Sequence, residues 1–423
     1  MHATRTLTVE RRQKVQGERI LERGSVEDVR SANRALLLSL ASGDGVTSCP
    51  TLAERSGLSR ATVYAIAEEL QRAGVLVSHG IGRSSGGRRP ALLRFEPRAR
   101  VAIGVEIDER AVRGVATDLL GSTLLHETTP LPGLSPGDAV TAIEAVTTTL
   151  RRAFSPEQVL GLGVAIPGIV DVNAGVVRLS VIHDWTDIRL AEMVTQRTGL
   201  RAYVASRSMS AAFGEYRSGA GRGARHLIYI YAGQGLGAGS VVNGELFSGA
   251  TSSAGELGHI TVAPDGDLCT CGNRGCLHTV ASGAALLALA RTALRERPGE
   301  GHLLRRLGHP DPVRLRTIDL AEAALRGDSI AAPLVQEAGR YVGLAAASVV
   351  NLFNPDRVIV GGPLVAAGPI FMDALCDEAE RRSLAVPFSA AEFAVSALGE
   401  DAAPVGAAAL VLRHAAGLLS HSE

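Results

Sequence analysis

Apolar residues along the chain change their period three times. Between residues 31 and 43 (SANRALLLSLASG), Leu36, Leu37 and Leu40 recur at helical spacing, and the run stops at Gly43. From 51 to 74 (TLAERSGLSRATVYAIAEELQRAG) that period returns in two shorter pieces. The first starts at Thr51 and closes at Gly57, where the absence of a Cβ permits a tight turn. Ser59 stands where an N-cap belongs, and Val63, Ile66 and Leu70 form the buried stripe of the second piece. Two short helices across a glycine turn predict a helix-turn-helix. Apolar runs at 75–77 and 91–95 predict two strands, with Gly, Ser and Arg filling the segment between them. That pattern outlines a wing.

From residue 101 the texture differs. VAIGVEIDERAVRGVATDLLG predicts a hairpin of two apolar strands. Strands and helices then alternate through VLGLGVAIPGIV, a helix near 207–217, LIYIYAG, a helix over 329–353, and RVIVGG. This alternation predicts an α/β fold with a mixed sheet. A strand-turn-strand entry recurs at 101–121 and 226–244, so two related halves are expected. The chain is thus read as a charged, partly disordered arm (1–30), a winged helix-turn-helix (31–97) and a long α/β domain (98–415).

Charge sharpens the first part of this division. The 423 residues carry 43 basic and 43 acidic side chains, yet the first hundred hold seventeen Arg/Lys against ten Asp/Glu. A basic first quarter predicts a polyanion partner. Ser59, Arg60, Thr62 and Tyr64 lie near the start of the second helix, the end of a recognition helix that meets base edges. Arg83, Arg88 and Arg89 in the wing are placed for phosphates or a minor groove. Double-stranded operator DNA is therefore the expected partner. No apolar run approaches the roughly 20 residues that span a bilayer. The first residues lack the apolar segment of a secretory signal, so a cytoplasmic protein with no membrane partner is expected.

Three of the five cysteines, Cys269, Cys271 and Cys276, fall within eight positions, and His259 precedes them in Glu256-Leu-Gly-His259. One His and three Cys suit tetrahedral Zn2+. They leave no open position for water, so the expected ion is structural and not hydrolytic. Gly272 and Gly275 let the chain turn tightly around it.

The His259 to Cys276 stretch resembles the ROK family, which groups bacterial sugar kinases with sugar-responsive repressors. Further matches are Gly163-Val-Ala-Ile-Pro-Gly168-Ile-Val-Asp171, Gly233-Gln-Gly-Leu-Gly-Ala-Gly239, and Asn354-Pro-Asp-Arg-Val-Ile-Val-Gly-Gly362. The amino-terminal module is similar to the repressor branch. The resemblance covers nearly the whole chain. It implies a two-lobed, actin-like and ribonuclease-H-like sugar-kinase fold with a ligand cleft, commonly in homodimers or homotetramers.

Departures from the kinase pattern carry the functional expectation. Kinases of the family hold a loop resembling Asp-x-Gly-Gly-Thr after their first strand, where small residues let backbone amides approach phosphate. This chain has Glu106-Ile-Asp108-Glu109-Arg110. The kinases also place a general-base Asp shortly before a Gly-Glu pair. Aligned on Phe213-Gly214-Glu215, that position is Arg207, which cannot act as a base at neutral pH. A catalytically inactive, effector-binding domain controlling a repressor of carbohydrate-related genes is expected. The rivals are a bifunctional sugar kinase with a DNA-binding head, and a sensor domain that binds a protein partner.

The resemblance implies effector contacts from Gly168, Glu256 and His259. Two positions that are usually acidic have become Arg207 and His278. This shift predicts either a sugar phosphate or sugar acid clamped by Arg207, or an ion pair of Arg207 with Glu256 or Glu215. Trp185, the only tryptophan, is read either as a sugar-facing ring or as a core residue.

Overall fold

The computed structural model describes residues 26–82, 89–309 and 311–415. Most of the expected arm, and Arg83 and Arg88 of the wing, lie outside them. The head begins with α1 (Val26–Asp44), earlier than residue 31, because its first turns are mostly polar and offer only Val26 and Val29 to an apolar period. Strand β1 (Val46–Ser48) leads to α2 (Cys49–Ser56), which is capped by the Ser48 hydroxyl, carries Pro50 in its first turn, and ends at Gly57 with φ 69°. The helix therefore starts two residues before Thr51. Helix α3 (Arg60–Arg72) is capped by Ser59, as its sequence predicts. Strands β2 (Leu76–Ile81) and β3 (Ala91–Phe95) complete an antiparallel sheet in the order β1-β3-β2.

Leu37, Leu52, Val63, Ile66, Leu70 and Leu93 close the core of the head. A buried ion pair fixes α1 to α3: Arg34 lies 3.2 Å from Glu69, and Arg30 meets the same carboxylate. The head joins the α/β domain without a long linker. Only five residues, 96–100, which include the short turn Pro97–Ala99, separate β3 from the next strand. Leu119 and Leu160 of the α/β domain pack against the core of the head. The Leu119 amide also donates to the Pro97 carbonyl at 3.0 Å.

The first lobe contains β4 (Val101–Ile107), β5 (Ala111–Asp118), β6 (Thr123–Pro130), α4 (Pro136–Arg151) and β7 (Val159–Ile166). It continues with a small sheet, β8 (Ile169–Asp171), β9 (Val176–Ser180) and β10 (Trp185–Ile188), then α5 (Leu190–Thr198), β11 (Ala202–Ser206) and α6 (Arg207–Ser218). The second lobe contains β12 (His226–Ala232), β13 (Leu236–Val242) and β14 (Glu245–Leu246), with helices α7 (Leu277–Ala281), α8 (Gly283–Glu296), α9 (His302–Leu307), α10 (Thr317–Leu325) and α11 (Ala331–Phe353). It closes with β15 (Arg357–Gly361), α12 (Pro369–Arg382), α13 (Ala385–Ala390) and β16 (Glu392–Val395). Helix α14 (Ala402–Ala415) then returns to the first lobe.

The strand orders are β6-β5-β4-β7-β11 and β14-β13-β12-β15-β16. In each, an antiparallel three-strand meander continues into two parallel strands. The two related halves expected from the sequence are therefore present as two sheets of one topology. Helices α6 and α14 share a core with residues of both sheets. Their approach is close: a Cβ on Gly163 of β7 would stand 1.9 Å from the Ala407 carbonyl oxygen of α14. Among the described residues, no helix is long and apolar enough to cross a membrane.

Candidate effector and metal site

The loop between β14 and α7 brings His259, Cys269, Cys271 and Cys276 together, with one ligand atom of each within 4.8 Å of the others. Cys269 Sγ lies 3.6 Å from His259 Nδ1, and Cys271 Sγ lies 3.6 Å from Cys276 Sγ. Bond lengths of about 2.3 Å to sulfur and about 2.0 Å to nitrogen give a tetrahedron with edges near 3.5–3.8 Å, so these residues fit Zn2+. Gly272 and Gly275 have φ of 90° and 63°, and a Cβ on Gly275 would collide with the Ala263 carbonyl. Two isolated bridges, Thr261 with Cys276 and Leu268 with Arg274, are the only strand-like pairing in this loop among the described residues.

A cavity of about 400 Å³ opens beside the loop. His259 and Cys271 line it, so the metal cluster and the cavity share a wall. Gly168, Arg207, Glu256 and His278 line it too, so the structure brings all five expected effector residues to one place. The Gly168 backbone has φ 136°, and a Cβ there would come within 2.3 Å of the Leu179 carbonyl oxygen. His278 stacks on His259 with ring centroids 6.0 Å apart. Trp185 is a core residue: its ring is buried and its Nε1 donates to the Leu134 carbonyl at 2.7 Å.

Arg207 sits at the first turn of α6, almost wholly buried. Its Nε stands 2.6 Å from Glu106 Oε1, an ion pair without hydrogen-bond alignment. Its second terminal nitrogen donates to Asp108 at 3.0 Å. The other donates to the Tyr231 hydroxyl at 3.1 Å, with the guanidinium 4.9 Å from the ring centroid. Arg113 adds a second cation, 3.1 Å from Glu106 and 3.6 Å from Asp108. Two carboxylates already neutralise Arg207, which weighs against the expected anion clamp. The alternative partners are corrected. Glu215 is buried, accepting from the Ala220 and Leu398 amides and the Ser396 hydroxyl, and the carboxylates that face Arg207 are Glu106 and Asp108.

The motifs of the sequence do not single out Glu106 and Tyr231 as partners of Arg207. A lone acid in the otherwise apolar strand VAIGVEI is the available signal, since a buried carboxylate requires a partner. Burial pushes the Asp108 carboxyl up, but Arg207, the Glu109 amide and Arg113 together outweigh it and hold it below the ordinary aspartate range. A depressed folded-state pKa adds stability above the unfolded value, and that stability disappears as pH falls through the folded value. Asp108→Asn is therefore expected to flatten the acid limb of a stability–pH profile below about pH 4. An unchanged limb in the variant would contradict this role for the carboxylate.

A second cavity, of about 650 Å³, lies between the lobes and also reaches Arg207. The Asp108–Arg110 turn borders it, and the Asp108 amide is tied to the Ala111 carbonyl at 2.9 Å. On the head, Arg60, Tyr64 and Arg89 are exposed, while the hydroxyls of Ser59 and Thr62 bond each other at 2.8 Å in the cap of α3.

The model of the ROK family matches residues 102–414. The chain belongs to the ROK family. Its ROK relatives divide by how much of it they cover. The putative xylose repressor of Caldicellulosiruptor sp. (strain Rt8B.4) is 29% identical over 388 residues, 91% of this chain and 96% of its own. A crystal structure of a ROK family transcriptional regulator, homolog of the E. coli MLC protein, superimposes with a TM-score of 0.79 at 25% identity, covering 92% of this chain and 98% of its own. The ROK family glucokinase of Streptomyces griseus, solved with glucose and AMPPNP, has a TM-score of 0.67 at 32% identity and covers 73% of this chain and 98% of its own. The kinase has no counterpart for about a quarter of this chain. The chain is a ROK transcriptional regulator with a kinase-like domain.

Proposed function

We propose that this regulator represses carbohydrate-related genes by binding operator DNA through α3 and the wing, and that a sugar in the 400 Å³ cavity controls its affinity. Recognition uses Arg60 and Tyr64, exposed on the first turns of α3, with Ser59 and Thr62 at its cap, and Arg83, Arg88 and Arg89 on phosphates. Two heads in a homodimer or homotetramer engage half-sites about one helical turn apart. Glu256, His259 and His278 hold sugar hydroxyls, and Gly168 gives the ligand room. His259, Cys269, Cys271 and Cys276 would hold Zn2+, whose contribution is to fold the loop that forms one cavity wall.

The observation that carries this reading is Arg207. A buried guanidinium paired with two carboxylates stands at the position that the family resemblance gives to a kinase's base, which supports a cavity that senses a sugar without phosphorylating it. The tie between the Asp108 amide and Ala111 removes one backbone donor from the former phosphate loop. Sensing is thereby separated from phosphoryl transfer.

The test is a gel-shift and anisotropy assay on the DNA upstream of the protein's own gene, titrated with sugars. D-xylose comes first, because matched relatives are named xylose repressors. Sugar-dependent release from a specific site is expected. Arg60→Ala and Tyr64→Ala should each weaken specific binding by about 1–3 kcal/mol, whereas Arg89→Ala should weaken all sequences alike and lower the salt slope by about 1. All three side chains are exposed, so melting temperatures should not move. Full operator affinity in the α3 variants would refute the assigned reading face.

A further inference from the structure

The small sheet β8–β10 gives the effector cavity an aliphatic wall. Ile169, Leu179, Val181 and Ile182 all line it. Ile169 and Leu179 are cross-strand partners, so their side chains form one continuous patch. Leu179 is 42% exposed and Val181 is 64% exposed. Isolated exposed aliphatics are common on proteins, but four together in a concave site mark a ligand contact.

The wall is held in place. Gly168 brings its backbone against Leu179 and Ser180. The Ser180 hydroxyl donates to the Pro167 carbonyl at 2.7 Å and accepts from buried His183 Nδ1 at 2.9 Å. The turn that carries Val181 and Ile182 is therefore built around buried polar contacts, and the apolar face is prepared before a ligand arrives.

Charge limits the ligand further. Among the described residues, Arg207 is the only guanidinium lining this cavity, and Glu106 and Asp108 neutralise it. Glu256 is the one carboxylate in that lining. An anion entering here meets a like charge and, among these residues, no uncommitted guanidinium.

From this juxtaposition of an aliphatic wall, a single acid and a committed arginine, we infer that the effector is a neutral sugar with an apolar edge. A 6-deoxyhexose, with methyl in place of hydroxymethyl, is its simplest form. Its hydroxyls meet Glu256 and His259, and its methyl edge meets Leu179 and Val181. The inference rests on the proposed sugar-sensing function and narrows its ligand.

Calorimetry on the full-length, metal-replete protein tests it with matched pairs: L-rhamnose and L-mannose, L-fucose and L-galactose, 6-deoxy-D-glucose and D-glucose. D-xylose, D-glucose 6-phosphate and D-glucuronate complete the panel. In at least one pair the deoxy member should bind about tenfold more tightly than its twin. Val181→Asn should remove that advantage by weakening the deoxy sugar alone, and Leu179→Thr provides a second variant should the first fail to fold. Equal or tighter binding of the hydroxylated twin in every pair overturns the inference and leaves sugar sensing standing. Tightest binding of the phosphate or the acid overturns it as well. If no sugar binds while the operator is still held, the inference and the sugar-sensing reading both fall.

Discussion

Arg207→Asp places a carboxylate where kinases of the ROK family hold their general base, and the expected product is a damaged regulator and not a kinase. The new side chain would face Glu106 and Asp108, which already share the site. Breaking a buried ion pair by removing one partner costs about 3–5 kcal/mol, because the remaining charge stays desolvated. Three carboxylates around one site belong at the upper end of that range. Arg207→Met should lose less, since Arg113 remains 3.1 Å from Glu106. Arg207→Lys should lose least, keeping the charge but not the planar fork that reaches Glu106, Asp108 and Tyr231 at once. Denaturant melts should therefore rank Lys above Met above Asp. ATP consumption over a sugar panel should stay at background in the wild type and in all three variants. Sugar-dependent turnover by wild type, or by Arg207→Asp, would show that the remaining cleft can still transfer a phosphoryl group.

Loss of the metal should be the other large effect. The loop from His259 to Cys276 is held by turns, such as Cys269 N–H to the Asn273 carbonyl and Gly275 N–H to the Asp267 carbonyl, and by two isolated bridges, so a metal would fasten turns that no sheet anchors. Structural zinc binding worth roughly 10–16 kcal/mol in small domains is drawn on directly for folding. In a chain of this size the loss is local, and several kcal/mol of apparent stability should disappear on chelation or in Cys276→Ser, whose Sγ is buried within the cluster. Metal analysis should find one zinc per chain in the wild type and none in the variant. Because His259 and Cys271 also line the effector cavity, the chelated protein should keep operator binding through its distant head and lose its response to sugar. An unchanged sugar response without metal would break the link between the cluster and the cavity.

Some of this is legible in the sequence for identifiable reasons. The head can be read because caps and turns are local: Ser59 before an apolar stripe and Gly57 before Ser59 specify their geometry within a few residues. The metal cluster can be read because its three cysteines are close in sequence. Arg207 is legible as a lesion, but its partners are not. Asp108 and Glu106 reach it across about a hundred residues, through the register of β4 in a sheet whose strand order no local pattern fixes. The same limit hides the aliphatic wall. Leu179 looks like an ordinary strand residue until the pairing of β8 with β9 sets it beside Ile169 in the cavity wall, and Val181 lies in the turn after β9, which no local pattern places there. The start of α1 escapes the periodic pattern because Arg30 and Arg34 hold it to Glu69 of α3, and its apolar residues, Val26 and exposed Val29, are too few to show a period.

The seating of the head on the first lobe has a mechanical meaning. Leu119 and Leu160 extend the apolar core of the head into the lobe, and only the five residues 96–100 connect the two. In the proposed function, a head seated on the lobe this way would move with it when a sugar shifts the lobes about the cleft. In the proposed dimer the recognition helices are the tips of a caliper: the operator is gauged for distance as well as read for sequence, and a sugar that changes the angle at the cleft changes the gap the tips will accept.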